Sequence, residues 1–172
     1  SHIASGAMCV EYWHWHSIHN SAESYWKGVL SHNLKENATY HDCTQIGSEF
    51  AKLTDDLLHL KKNNKVAMML SNRSITSFKF FPAGDITDQN SILRWVYDAL
   101  YKLNIEMDMI YDDEKDLSKY DLIILPSLYS LPKSEIECLK QYVENGGHII
   151  ATFRTAFCDE HSKIYSEDQP CG

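Results

Sequence analysis

Basic charge is scarce in this chain. Sixteen Lys and Arg stand against 24 Asp and Glu over 172 residues, for a formal net charge of −8. Nucleic acids and anionic membranes are gripped by clustered Lys and Arg, so neither is an expected partner. The one dense basic run, Lys61-Lys62 with Lys65, suits the C-terminal end of a helix. Long apolar runs are missing too. The longest, VAMML and LIILP, fall far short of the ~20 residues that cross a bilayer. The first residues lack the apolar core of a secretory leader, so none is expected. Cysteine pairing motifs are absent as well: Cys9, Cys43, Cys138, Cys158 and Cys171 are odd in number and widely spaced, with no CxxC. A disulfide framework or zinc knuckle is not expected; free thiols in a reducing cytoplasm are.

Two further absences bear on chemistry. HExxH spacing does not occur, and His14 and His16, with His19, Glu23 and His32 nearby, lack a ligand pattern that converges. No metal is expected. Glycine is missing between Gly47 and Gly84, so the loop SNRSITSF has none of the close-approach positions a phosphate cradle uses. It reads as a plain surface loop. Ser127 follows Pro126 and precedes Leu128, without the flanking glycines of a nucleophile elbow. Cys158, Asp159, Glu160 and His161 adjoin in sequence, and adjacent residues rarely converge on one point, so they too read as a loop.

What is present is a chain long enough for one self-sufficient core, 44% hydrophobic. The octet SHIASGAM reads as vector-derived, and SEDQPCG supplies no closing element, so an excised segment of a longer polypeptide is expected. From Asp42 to Leu60, Ile46, Phe50, Leu53, Leu57, Leu58 and Leu60 recur at helical spacing. KVAMML is a buried strand, and Ser71 to Gly84 is irregular. Ile92, Trp95, Val96, Ala99, Leu100 and Leu103 mark a second helix. IEMDMIY alternates as a half-exposed edge strand. YDLIILPS is a buried strand stopped by Pro126. Ser134 caps a third helix through Ile136, Leu139 and Val143, Gly146-Gly147 ends it, and HIIATF is the fourth strand. The order β-α-β-β-α-β predicts an α/β fold, a three-layer sandwich with a mainly parallel sheet.

The segment before this alternation is unlike it. VEYWHWHSIHNSAESYWKGVLSHN, Val10 to Asn33, holds three tryptophans and four histidines in 24 residues. CVEYWHW reads as a strand, with Tyr12, His14 and His16 on one side and Trp13 and Trp15 on the other. SAESYWKGVL reads as a short helix capped by Ser21. An orphan aromatic strand ahead of a complete α/β unit looks like the last piece of a preceding domain.

These residues resemble a known family. YWHWHSIHNSAESYWKGVLSHNLKENATYHDCTQIGSEF is similar to the end of the catalytic barrel of glycoside hydrolase family 42 β-galactosidases. YDLIILPSLYSLPKSEIECLKQYVENGGHIIATFRTAFCDEHSKIY resembles that family's trimerisation domain, with its Pro-ended strand, Gly-Gly, Thr-x-Arg and Asp-Glu pair. The resemblance covers Val10 to Gly172. It implies residues 9–40 as a remnant of a (β/α)8 barrel's last strand and loop, and 41–172 as the trimerisation domain. Glu23 matches the family's sugar-binding Glu. Many members carry a His three residues later, where Trp26 stands here, which suggests stacking in place of a hydrogen bond. Trp15 and His16 fall at the strand end. All four would line the galactose site at the barrel's C-terminal face.

The resemblance further implies a retaining β-galactosidase whose acid and nucleophile lie on other barrel strands. This segment would then be inactive alone, need no cofactor, be cytoplasmic, and associate as a homo-oligomer, a trimer in the parent. Deprived of barrel neighbours, Val10 to Leu30 is expected to pair with another copy. Two alternatives remain: a flavodoxin-like flavin-binding module, and a degenerate enzyme of the class I glutamine amidotransferase-like kind.

Overall fold

Asn37 begins the first helix by accepting a hydrogen bond from the Tyr40 N–H at 3.0 Å. The computed structural model describes residues 2–86 and 88–166, and the chain divides into two units, Ser1–Lys62 and Asn63–Gly172. In the first unit α1 spans Ala38–Lys52 and α2 spans Thr54–Leu57. The single helix expected over Asp42 to Leu60 starts four residues earlier and breaks at Leu53. The Thr54 hydroxyl explains the break, for it donates back to the Phe50 and Ala51 carbonyls and competes with the helical ladder there. Neither helix buries a residue. Ile46, Phe50, Leu53, Leu58 and Leu60 are all exposed.

The remainder of this unit departs from expectation. CVEYWHW is not a strand; the one ladder contact beside it is an isolated parallel bridge from the next residue, His16, to Leu30. SAESYWKGVL is not a helix. Ser21 and Tyr25 adopt positive φ (74° and 67°), and both the Ser24 N–H and its hydroxyl turn back to the Ser21 carbonyl, which closes a tight turn. Ser21 is therefore no helix cap.

In the second unit β1 (Val66–Leu70) is followed by α3 (Asn72–Phe80), α4 (Gln89–Lys102), β2 (Met107–Tyr111), β3 (Leu122–Leu125), α5 (Lys133–Glu144) and β4 (His148–Ala151). The four strands form one sheet in the order β2-β1-β3-β4, parallel throughout. β1 is buried on both faces, as its unbroken apolar run requires. Ala67 and Met69 pack with Ile123, Leu125, Leu139 and Tyr142 under α5. On the other face, Met68 and Leu70 line a groove shared with Leu93 and Tyr97 of α4. The result is the expected three-layer α/β sandwich. The edge position expected of IEMDMIY is also realised: β2 ends the sheet, with Ile110 buried and Met109 and Tyr111 exposed.

Two details differ from the sequence reading. Asn72–Phe80 is a helix, because Ser71 caps it by accepting from the Ser74 N–H. Its inward face is Ser74, Ser77 and Phe78, so no apolar stripe announces it. As the β-α-β-β-α-β order predicts, the return from β2 to β3 carries no helix among the described residues; Leu117 and Tyr120 of that return are buried in the cluster that α5 covers. The N-cap of α5 is Pro132, and the Ser134 hydroxyl donates to Glu135 within the first turn. Beyond α5, Gly146 takes φ +96° to end the helix. At Gly147 a Cβ would come within 2.2–2.4 Å of the Tyr142 ring.

Candidate functional site

The aromatic segment is built as a loop closed on its own backbone. Val29 N–H donates to the His14 carbonyl at 2.8 Å and Leu30 N–H to Trp15 at 2.9 Å. Gly28 makes this closure possible, for a Cβ there would meet the His16 backbone at 2.4–2.8 Å. Higher in the loop, Tyr25 N–H donates to Ile18, Ile18 N–H to Trp26, and Trp26 N–H to Glu23. Val29 and Ser17 are buried at its base. From His14 to Leu30 the segment is thus closed by main-chain bonds of its own, a local source of order besides the pairing with another copy expected for Val10 to Leu30.

Side chains fix the loop from one flank. Ser17 Oγ lies 2.9 Å from His32 Nδ1, His19 Nε2 donates to the His32 carbonyl, and His16 Nδ1 donates to the Ser17 carbonyl. The imidazoles of His16 and His19 stack at 5.4 Å, and those of His19 and His32 meet at 4.4 Å. Tyr25 stacks on His32 at 4.3 Å. Each of these histidines therefore spends a ring nitrogen on the loop itself.

The four residues singled out from sequence fall at different places on this frame. His16 joins the imidazole cluster. Trp15 turns elsewhere and meets the Tyr40 ring edge-on at 6.3 Å, while 62% exposed. Glu23 and Trp26 sit on the turn, both exposed, with Trp26 at 57%. Among the described residues no hydrogen-bond donor or cation engages the Glu23 carboxylate. Chemically, the loop offers a free carboxylate acceptor beside uncovered indole rings. Tyr25 and Ser17 carry the arrangement and were not anticipated; Gly28 in an otherwise bulky stretch was the signal for a close backbone crossing.

The second unit uses its polar groups internally. Ser74 Oγ donates to the Ser130 carbonyl and accepts from the Ser130 N–H, both at 3.0 Å. Arg73 at the head of α3 pairs with Asp112 after β2 at 2.6 Å. The SNRSITSF segment is therefore neither a surface loop nor a phosphate cradle. Ser127 does adopt positive φ, 45°, on the turn after β3, yet it is fully buried and its hydroxyl donates to the Phe153 carbonyl. Cys158 is fully buried, and burial pushes its thiol up to about 11, where no thiolate forms at neutral pH. Asp159 accepts from the His161 and Lys163 N–H groups and shapes a turn. None of these groups is set for catalysis.

Residues 64–172 match the β-galactosidase trimerisation domain, and residues 1–53 match the β-galactosidase family proper. The chain belongs to the glycoside hydrolase family 42 β-galactosidases. It is 34% identical over 161 residues to the β-galactosidase BgaP of Planococcus sp. (strain L4), covering 92% of this chain and 24% of that protein. It is 30% identical over 179 residues to BgaB of Geobacillus sp. (strain Y412MC61), covering 98% of this chain and 25% of that one. The chain thus spans about a quarter of the length of these relatives. The crystal structure of the Bacillus circulans sp. alkalophilus β-galactosidase superposes with TM-score 0.80 at 28% identity, over 87% of this chain and 22% of that one. The β-galactosidase of Marinomonas ef1, at 21% identity, TM-score 0.82 and coverage of 92% and 24%, shares the fold. The β-galactosidase match takes in the aromatic loop and the whole of α1, so the two units correspond to two successive parts of one family architecture.

Proposed function

We propose that this chain is part of a retaining β-galactosidase that removes terminal β-D-galactosyl residues. In this reading its first unit supplies one wall of the galactose site and its second unit supplies subunit association, with three copies in the assembly. The observation that carries the reading is the aromatic loop. It is closed by main-chain bonds, yet among the described residues it leaves the Glu23 carboxylate without a partner, with Trp15 and Trp26 exposed. A carboxylate takes hydrogen bonds from sugar hydroxyls, and indole faces cover the apolar face of the ring. A buried flavin or an amidotransferase nucleophile has no comparable support in the second unit, where the hydroxyls are spent on internal bonds.

The acid and the nucleophile of a retaining glycosidase stand about 5 Å apart. In this reading both lie on barrel strands outside the chain, so the polypeptide alone is inert. The wide, odd cysteine spacing goes with a cytoplasmic protein. Two assays test the proposal. Purified chain mixed with a chromogenic galactoside gives no turnover above blank. In the longer polypeptide, Glu23→Ala removes a charge-assisted bond of roughly 1.5–3 kcal/mol and lowers kcat/KM by about 10- to 150-fold. Turnover by the chain alone, or unchanged kcat/KM in the variant, overturns it.

A further inference from the structure

Glu23 stands on a turn that curls on both sides of it. Ser24 N–H donates to the Ser21 carbonyl and Trp26 N–H to the Glu23 carbonyl. The bonds at the base of the loop, Val29 to His14 and Leu30 to Trp15, hold its two legs. They leave the turn free to rock about those legs unless a side chain stops it. One side chain reaches both flanks of the turn, and it is His32. The Tyr25 ring lies on its face, with centroids 4.3 Å apart and planes 27° from parallel. The His19 ring meets it edge-on at 4.4 Å and 85°. Ser17 Oγ lies 2.9 Å from its Nδ1, and His19 Nε2 donates to its carbonyl. Ser17 and His19 precede Glu23 in the chain, and Tyr25 follows it by two residues.

His32 has an anchor of its own. Ser31 N–H donates to the Lys35 carbonyl and Leu34 N–H to the Ser31 carbonyl, which closes a turn around it. Asn37 Nδ2 donates to Ser31 Oγ at 2.8 Å, while Asn37 Oδ1 accepts the Tyr40 N–H at the head of α1. Contacts therefore run unbroken from α1 through Asn37, Ser31 and His32 to the two flanks of the Glu23 turn.

We propose that His32 is a positioning residue for Glu23: it fixes the turn against α1 and so sets where the carboxylate meets the sugar. An imidazole suits this place because it offers a flat face to Tyr25 and a polar atom to Ser17 at once. Phenylalanine would keep only the face, and asparagine only the polar atom. The inference rests on the galactose-site reading, and the experiment separates the two.

In the longer polypeptide, His32→Ala lowers kcat/KM for a chromogenic galactoside by about five- to tenfold, less than Glu23→Ala, because the carboxylate is still present but no longer held. In a Glu23→Ala background the same substitution changes kcat/KM by less than about twofold, since its effect passes through a group already removed. A general structural role would lower both backgrounds alike. Tyr25→Ala, at a ring 73% exposed, shows the same dependence on Glu23, so the result does not hang on one variant folding. In the present chain, His32→Ala speeds amide exchange at Ile18 and Tyr25, whose N–H groups bond across the upper loop, and leaves Val29 and Leu30 at the base unchanged. Glu23→Ala without effect removes the galactose-site reading and this inference with it. Three outcomes overturn the inference alone: a costly Glu23→Ala beside a neutral His32→Ala, equal losses from His32→Ala in the two backgrounds, or Tyr25 exchange indifferent to His32→Ala.

Discussion

The two units solve burial in opposite ways. From Asn63 onward the chain buries its own apolar residues: Ala67, Phe78, Ile123 and Leu128 are fully enclosed, and β1 and β3 are covered on both faces. Up to Lys62 it makes the local structure without the core. α1 is capped, regular and fifteen residues long, yet none of its residues is buried. An isolated helix of that length is marginal in water unless an apolar face is packed. Local signals, then, specify a helix or a closed loop, whereas a hydrophobic face specifies a neighbour. The first unit carries such a face, Ile46, Phe50, Leu53, Leu58 and Leu60, and leaves it uncovered.

The sharpest way to break this contrast is to separate the units. Residues 63–172 expressed alone should keep a dispersed amide spectrum and a cooperative melt, because their core draws on no residue before Asn63. Residues 1–62 alone should show little helix by circular dichroism. A folded first unit and an unfolded second would reverse the argument.

One phenylalanine from each unit gives a finer comparison. Phe78 is fully buried against Tyr129, with ring centroids 5.9 Å apart, and Phe78→Ala should cost about 3–5 kcal/mol of unfolding free energy. Phe50 is 40% exposed, and Phe50→Ala should cost less than about 1 kcal/mol in urea titrations of the whole chain. Equal costs would show that α1 has a core of its own.

Glycines extend the comparison to the backbone. Gly147→Ala drives a methyl into the Tyr142 ring, whose hydroxyl is anchored to the Tyr120 carbonyl at 3.0 Å, so overpacking should cost about 1–3 kcal/mol globally. Gly28→Ala meets main chain at His16, which cannot rotate away. It should open the aromatic loop and speed exchange at the Val29 and Leu30 amides, while the melt of the second unit stays in place. A shift in that melt equal to the effect of Gly147→Ala would mean the loop and the sheet unfold as one.

The sequence was legible where hydrophobic period and length agreed. β1, β3, α4 and α5 follow from apolar runs and stripes, and the Gly146-Gly147 stop followed from the αL requirement. α3 was not legible because its buried face is Ser74 and Ser77, which pack by hydrogen bonding to Ser130 and Ser162 rather than by apolar area. The aromatic segment misled in the other direction. Alternating rings and a Ser-Ala-Glu start are honest strand and helix signals, but a strand needs a partner along its length, and here the chain supplies only the Val29-Leu30 return. Glu23 and Trp26 were found through family resemblance. The contacts that hold their loop, Ser17 to His32 and Tyr25 on His32, join residues seven to fifteen apart and leave no period to read.

The smallest expected effect lies in the turn after Cys158. The Asp159 carboxylate accepts from the Lys163 and His161 N–H groups, and these bonds, Lys163 first, hold its pKa below the ordinary 3.8. A carboxyl whose folded pKa is depressed contributes stability above its unfolded value and loses it as pH falls through the folded one. The group lies at the surface on a turn, so the contribution is local rather than global. The His161 and Lys163 amide resonances should therefore stay fixed down to about pH 4 and move together below it. Asp159→Asn keeps an acceptor oxygen and removes the titration, so the same two resonances should stay in place through the acid range. An identical acid transition in the asparagine variant would assign the movement to another group and leave the turn held by its backbone bonds alone.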